Sequence, residues 1–147
     1  MNIETKKSEF DHFSTLARDW WSKNGKFKIL HDIQSIRIKY IQEAVNKSKL
    51  NNTKILDIGC GGGLISEGLS KLGANVTGID FVNENINVAK NHAKINNLKI
   101  NYLEKNFEKE KIISKFDVII ILEVLEHLND WESFIKKIRM NLKKNGV

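Results

Sequence analysis

The residues of this sequence that could do chemistry fall into a few separate clusters. Asp57, Gly59, Gly61 and Gly63 alternate through Asp57-Ile58-Gly59-Cys60-Gly61-Gly62-Gly63, between a short apolar run and a helical pattern of Leu64, Ile65, Leu69 and Leu72. Clustered glycines let the backbone take positive φ and let a ligand approach without meeting a Cβ. A helix opening there points its unpaired N–H groups at the same place. The turn is therefore suited to holding a polar small molecule against bare main chain. Asp57 itself has two readings: it holds the turn through N–H groups, or it orients a cationic amino group of the ligand. Asp80 stands 21 residues after Gly59, where a carboxylate at a strand's carboxyl end can accept both hydroxyls of a ribose. Glu123, Glu126 and His127 would converge on one face if their stretch is a helical turn. Such a face could hold a divalent cation. Alternatively His127 alone is a general base, or the stretch is a solvated loop. Arg37 is either half of a surface ion pair or a clamp for a carboxylate.

Two fingerprints compete for the glycine turn. The dinucleotide pattern wants glycine at the first, third and sixth positions; counted from Gly59 the sixth is Leu64, so that match fails. The pattern acidic-x-Gly-x-Gly-x-Gly is met in full by Asp57, Gly59, Gly61 and Gly63. It resembles motif I of the Rossmann-like S-adenosylmethionine-dependent methyltransferases.

The elements that must position these residues are legible from periodicity. Phe10, Phe13, Ala17, Trp20 and Trp21 recur at helical spacing from about Ser8 to Ser22, a helix packed on the core or a wall for a ring-shaped or lipid-like ligand. Asn24-Gly25 breaks it. A second helix is expected over Ile33 to Lys47, with Asp32 as its N-cap and Ile33, Ile36, Tyr40, Ile41, Ala44 and Val45 as its apolar face. From Asn51 onward strands and helices alternate. Strands are expected at Lys54–Ile58, Ala74–Ile79, Lys99–Leu103 and Phe116–Leu122, the last an apolar run suited to burial on both faces. Helices are expected after the glycine turn to Gly73 as a left-handed cap, from a cap at Asn83, and from Asn129 or Asp130. This order predicts an α/β fold, a Rossmann-like doubly wound parallel sheet with about four strands present. Residues 1–50 would form an N-terminal helical cap and residues 51–147 the cofactor-binding core. Val147 reads as the start of a further strand, without which Phe116–Leu122 would be an exposed edge. The expectation is that later strands are missing and that the sequence is the N-terminal part of a longer protein.

Bulk properties narrow the functional classes. A chain of 147 residues with 41% hydrophobic and 29% charged residues is one domain with a real core. Its net charge of +6 comes from lysines spread over every helix, without a basic cluster interleaved with aromatics, so no nucleic-acid partner is expected. Attraction to an anionic membrane surface stays open. Cys60 is the only cysteine; it reads as a small filler in the turn rather than a nucleophile, in a reducing compartment. No signal-peptide pattern opens the chain and no apolar run reaches spanning length. The expected location is cytoplasmic, with peripheral contact at the inner membrane face.

The Phe-x-x-x-Ala-x-x-Trp-Trp block (Phe13, Ala17, Trp20, Trp21), the turn Leu-Asp-Ile-Gly-Cys-Gly-Gly-Gly and the stretch Glu-Val-Leu-Glu-His are similar to those of the ubiquinone-biosynthesis O-methyltransferases. The resemblance implies that Arg37, Gly59, Asp80 and Leu122 contact S-adenosylmethionine: Arg37 at the methionine carboxylate, Asp80 at the ribose, and Leu122 through backbone or apolar contact with the adenosine. In the family's eukaryotic members Glu-x-x-Glu-His is a magnesium site, which maps here to Glu123, Glu126 and His127. An imidazole is unusual for Mg²⁺, so Mn²⁺, Fe²⁺ or Zn²⁺ could also sit there. The implied acceptor is a polyprenylated phenol or catechol, reached at a membrane and shared with other ubiquinone-biosynthesis enzymes. The alternatives are a small-molecule methyltransferase acting at carbon or nitrogen, and a cofactor-binding fragment without activity.

Overall fold

The structure, a computed structural model, describes residues 19–147. Its centre is a parallel sheet of four strands in the order β3-β2-β1-β4. In chain order the elements are α1 (Lys28–Ala44), β1 (Lys54–Ile58), α2 (Leu64–Lys71), β2 (Asn75–Asp80), α3 (Asn83–Ile95), β3 (Asn101–Glu104), β4 (Val118–Ile121), a 3₁₀ turn (Leu125–His127) and α4 (Trp131–Arg139). The chain winds outward from β1 through β2 to β3, then crosses back to lay β4 on the other side of β1. The strand order thus reverses at β1, and a crevice opens at the carboxyl ends of such strands.

Alternation along the strands sorts the core into two layers. Ile55, Val76, Val118 and Ile120 pack with Ile41 of α1 and Ile65 and Leu69 of α2. Leu56, Ile58 and Ile79 face the other way, against Phe134 and Ile138 of α4. With both faces covered, β1 is buried from Ile55 to Ile58, as the apolar run anticipates. Tyr102 of β3 and Cys60 pack with Ile86, Ala89 and Ala93 of α3.

Several boundaries differ from the sequence expectation for identifiable reasons. The helix expected from Ile33 begins at Lys28 instead, because Phe27 stacks on Trp20 with centroids 3.9 Å apart and anchors its first turn. Asp32 lies inside α1 and pairs with Lys28 one turn earlier, so it is not a cap. Ile36 and Tyr40, assigned to the apolar face, are 68% and 71% exposed, while Ile41 carries the buried side. Asn83 is the first residue of α3 rather than its cap; the Asp80 carboxylate takes the Val82 N–H, and the Asn83 amide donates to Glu104. Asp130 does cap α4, accepting from Ser133 N at 3.0 Å. The chain turns at Gly73 (φ 93°) after α2, as expected. Beyond β4, Val147 N donates to Asp117 O and Ile119 N to Val147 O, so Val147 lies alongside the β4 segment. Phe10, Phe13 and Ala17 of the expected aromatic helix lie outside the described residues.

Candidate functional site

The glycine turn takes its shape from main-chain bonds to the next strand. Gly59 N and Cys60 N both donate to Ile79 O, at 2.8 and 3.0 Å. Gly59 and Gly61 have φ of 71° and 53°, the left-handed region where a side chain is strained. Space excludes one as well: a Cβ on Gly59 would lie 2.3 Å from Val124 Cγ2, and one on Gly61 2.2 Å from Trp20 Cζ2. The turn is pressed between an indole from the segment before α1 and an isopropyl group from the segment after β4.

Two buried carboxylates stand beneath it. Asp57, 3% exposed, accepts the Ser66 hydroxyl at 2.6 Å and so ties the end of β1 to the first turn of α2. Burial pushes its carboxyl up to about 6, with the nearby Asp80 adding to the rise and Ser66 opposing it. Asp80 accepts Gly61 N at 2.9 Å through one oxygen and Val82 N at 2.9 Å through the other. Desolvation raises its carboxyl while those N–H groups and Asn85 pull it down. Of the roughly four lone-pair positions of a carboxylate, Val82 N and Asn85 Nδ2 take those on Oδ1 and Gly61 N one on Oδ2, so most of the acceptor capacity of Asp80 goes to bracing the turn. The sequence reading supplied the position of Asp80 but not this bracing role. Cys60 is buried, and desolvation pushes its thiol well up; this fits a filler and not a nucleophile.

A crevice of about 520 Å³ opens above these groups. Arg37, Asp57, Gly59, Gly61 and Asp80 line it, and so do Leu122, Glu123 and His127. Segments far apart in the chain are thereby brought to one place. Trp20, Phe27, Phe81, Phe107 and Phe134 add apolar wall. A cleft with aromatic walls and a few convergent polar groups is the ordinary form of a small-molecule site. The residues fit an adenosine-bearing ligand: a positive-φ main-chain turn, a carboxylate at the end of the next strand, and a guanidinium at the same opening.

The expected cation-binding face is not formed. Glu123 does not share a helical turn with its neighbours; it lies before the 3₁₀ turn Leu125–His127 with φ 54°. Its carboxylate is ion-paired with Arg37 of α1, while Glu126 and His127 are exposed. Among the described residues no group of His, Cys, Asp and Glu side chains stands close enough to hold a metal ion. The i, i+3, i+4 argument fails because it needs α-helical φ at Glu123, and the chain reverses there as it leaves β4. The residues as placed do not fit the divalent cation. The same ion pair shows that Arg37 does meet a carboxylate, one from its own chain.

Sequence reasoning missed the bracing around the turn. Trp20 Nε1 donates to Asn85 Oδ1 at 2.8 Å, and Asn85 Nδ2 reaches Asp80 Oδ1 at 3.4 Å. Trp21 Nε1 donates to Gly62 O at 3.0 Å. The Trp21 ring stacks on His92, with centroids 3.4 Å apart and planes 8° from parallel. His92 Nδ1 lies 2.7 Å from Glu67 Oε1, and Glu67 is wholly buried. The adjacent tryptophans were the signal available in the sequence; nothing there pairs them with Asn85 or His92.

Comparison with known proteins agrees with this geometry. Residues 56–147 match the family model described as a methyltransferase domain. The ubiquinone biosynthesis O-methyltransferase of Pelagibacter ubique (strain HTCC1062) is 50% identical over 149 aligned residues, covering 96% of this chain and 62% of that protein. The protein of the same name from Rickettsia prowazekii (strain Madrid E) is 43% identical, with 96% of this chain and 57% of that one covered. The chain thus spans about three fifths of the length of these relatives. Among solved structures, the magnesium protoporphyrin IX methyltransferase from Synechocystis PCC 6803 with bound S-adenosylmethionine superposes with a TM-score of 0.78 at 20% identity, over 97% of this chain and 74% of that one. The plantazolicin methyltransferase in complex with a desmethyl analogue and S-adenosylhomocysteine gives a TM-score of 0.64 at 26% identity, over 96% and 58%.

Proposed function

We propose, from the premise that the chain belongs to the methyltransferase-domain family, that it binds S-adenosylmethionine in the crevice and carries it for O-methylation of a polyprenylated phenol or catechol. The observation that carries the first half is the joint placement of Gly59, Gly61 and Asp80 at the tips of β1 and β2, under an opening of about 520 Å³. The two relatives named for ubiquinone biosynthesis support the second half.

When bound, S-adenosylmethionine supplies a methyl group already activated on a sulfonium. The chain's own residues must therefore align two centres and take up one proton. Asp80, which lines the crevice, meets the ribose by exchanging one of its present donors for a hydroxyl. The main chain at Gly59 and Gly61 lines the donor's crevice, Leu122 flanks the adenosine, and Arg37 faces the methionine carboxylate. Asp57, 3% exposed and lining the crevice, favours a cationic ammonium nearby. In the transfer, the acceptor oxygen's electron pair forms the new O–C bond as the S–C bond breaks toward sulfur. A phenol resembling tyrosine ionises near ~10, so a base must remove its proton. Glu123 is turned to Arg37, out of register with Glu126 and His127, and the proton is accordingly assigned to His127, which lines the crevice. No step is routed through a metal.

Residues 1–50 would cap the donor site, and the aromatic walls would admit the prenyl tail. Among the described residues no helix is long and apolar enough to cross a membrane. The exposed Ile29, Ile36 and Tyr40 of α1 support peripheral contact with the bilayer in which such an acceptor dissolves, beside other enzymes of ubiquinone assembly. Calorimetric titration tests the donor site: S-adenosylhomocysteine should bind and NADH should not. Absence of S-adenosylhomocysteine binding overturns the proposal. Acceptor profiling with labelled donor tests the rest, and methylation confined to carbon or nitrogen acceptors would refute the O-methyl assignment.

A further inference from the structure

We propose that Glu123 is a built-in competitor for the carboxylate subsite on Arg37, so that a donor molecule enters by exchanging partners with it. The inference rests on the donor-site reading above. Arg37 comes from α1 and Glu123 from the turn after β4, 86 positions away, and the two are ion-paired while both line the crevice. Their burial is unequal. The Arg37 side chain is 21% exposed and the Glu123 side chain 55%, so the guanidinium is the fixed member and the carboxylate the one free to swing into water. Asp57 and Asp80, which also line the crevice, are engaged elsewhere, Asp57 by Ser66 and Asp80 by Gly61 and Val82. Glu123 is thus the one that satisfies Arg37.

A guanidinium presents a planar fork matched to a single carboxylate. A ligand bearing its own carboxylate at this end of the crevice places a second negative charge on the same fork. The like charges repel, and Glu123, with its side chain 55% exposed, gives way into water. Its release moves the side chain and not the backbone. Glu123 is held in the left-handed region at φ 54°, and the next residue, Val124, packs where a Cβ on Gly59 would stand. His127 closes the 3₁₀ turn immediately after. Filling the carboxylate subsite therefore swings the Glu123 side chain and leaves the segment that carries His127 in place.

The test compares S-adenosylmethionine with decarboxylated S-adenosylmethionine, which differs only at the competing group. Both are titrated calorimetrically into the wild-type chain and into Glu123→Gln, whose exposed position leaves the core undisturbed. Removing the competitor should tighten S-adenosylmethionine about two- to fivefold, the range for an exposed ion pair, and leave the decarboxylated ligand unchanged. In an Arg37→Gln background the gain should vanish, because the pair acts as a unit. Equal affinities, weaker binding of S-adenosylmethionine, or the same gain for both ligands would overturn the exchange while leaving the donor site intact. If the wild type binds neither ligand, the donor-site reading fails and the exchange with it.

Discussion

Asp57→Asn should make the chain more stable at neutral pH and a poorer binder of S-adenosylmethionine. The Asp57 carboxyl sits wholly buried, with an ionisation pushed from 3.8 up to about 6 by desolvation first and by Asp80 second. A tenfold change in proton affinity corresponds to about 1.4 kcal/mol, so holding this group charged at pH 7 costs the fold about 3 kcal/mol relative to the unfolded chain. The Ser66 hydroxyl bond at 2.6 Å offsets part of any gain, because an amide oxygen is a weaker acceptor than a carboxylate. A net stabilisation of about 1–2 kcal/mol remains, or roughly 3–8 °C in Tm for a domain of this size. The sign with pH follows from the raised value. Below 3.8 the carboxyl is neutral in both states and the variant has no advantage. Between 3.8 and about 6 the folded state holds the proton and the unfolded state does not, so wild-type stability falls as pH rises and the variant's advantage grows. Above about 6 the advantage is constant. Thermal unfolding of both proteins from pH 4 to 8 checks this. A variant less stable at pH 7, or one whose advantage is largest in acid, would show that Asp57 is retained for the fold. Weaker binding beside higher stability would instead place the charge there for the ligand.

Gly61→Ala should destabilise the chain by roughly 1–3 kcal/mol and reduce S-adenosylhomocysteine binding more than tenfold, since the new Cβ combines positive φ with a contact 2.2 Å from the Trp20 ring; unchanged titration and melting curves would contradict the account of the turn. Trp21→Leu removes the bond to Gly62 O and the stack on His92. It should cost about 1–3 kcal/mol in denaturant unfolding and weaken S-adenosylhomocysteine binding, because the carbonyl it holds belongs to the ligand's own turn; a loss of stability with unaltered affinity would confine Trp21 to packing.

The architecture was legible because its signals are local and repeated. β1 is apolar through Leu56 and Ile58, ends at glycines and is followed by helical spacing, so strand, turn and helix agree with one another. The Asp130 cap on α4 is of the same kind, a short side chain three residues before the amide it receives. The misplacements at α1 and α3 share a different cause. The start of α1 is set by Phe27 stacking on Trp20, and the start of α3 by the reach of Asp80 to Val82 N. Neither contact leaves a periodic trace. Asp32 and Asn83 are good capping residues by type, but a ring stack in one case and a carboxylate–amide bond in the other had already fixed each helix start nearby.

At the site the failure is more informative. Asn46, Asn52 and Asn97 also have positive φ; Asn46 and Asn97 follow helix ends and Asn52 lies in the turn before β1, places where asparagine tolerates that geometry. Glu123 has no such excuse of residue type or position: it leaves a buried strand at φ 54° with its carboxylate on an arginine from another element. A left-handed glutamate costs of order 1 kcal/mol, and an ion pair 55% exposed on one side returns at most about as much. The pair therefore earns no surplus stability, and the conformation persists because the surroundings impose it, with Val124 seated on Gly59 and the chain reversing out of β4. Spacing in the sequence predicted three ligands on one helical face, whereas the fold spends that backbone reversal on closing the glycine turn from above. Residues that violate a local rule without gaining stability are where function is most economically sought, and here that residue touches the guanidinium that a donor carboxylate would need.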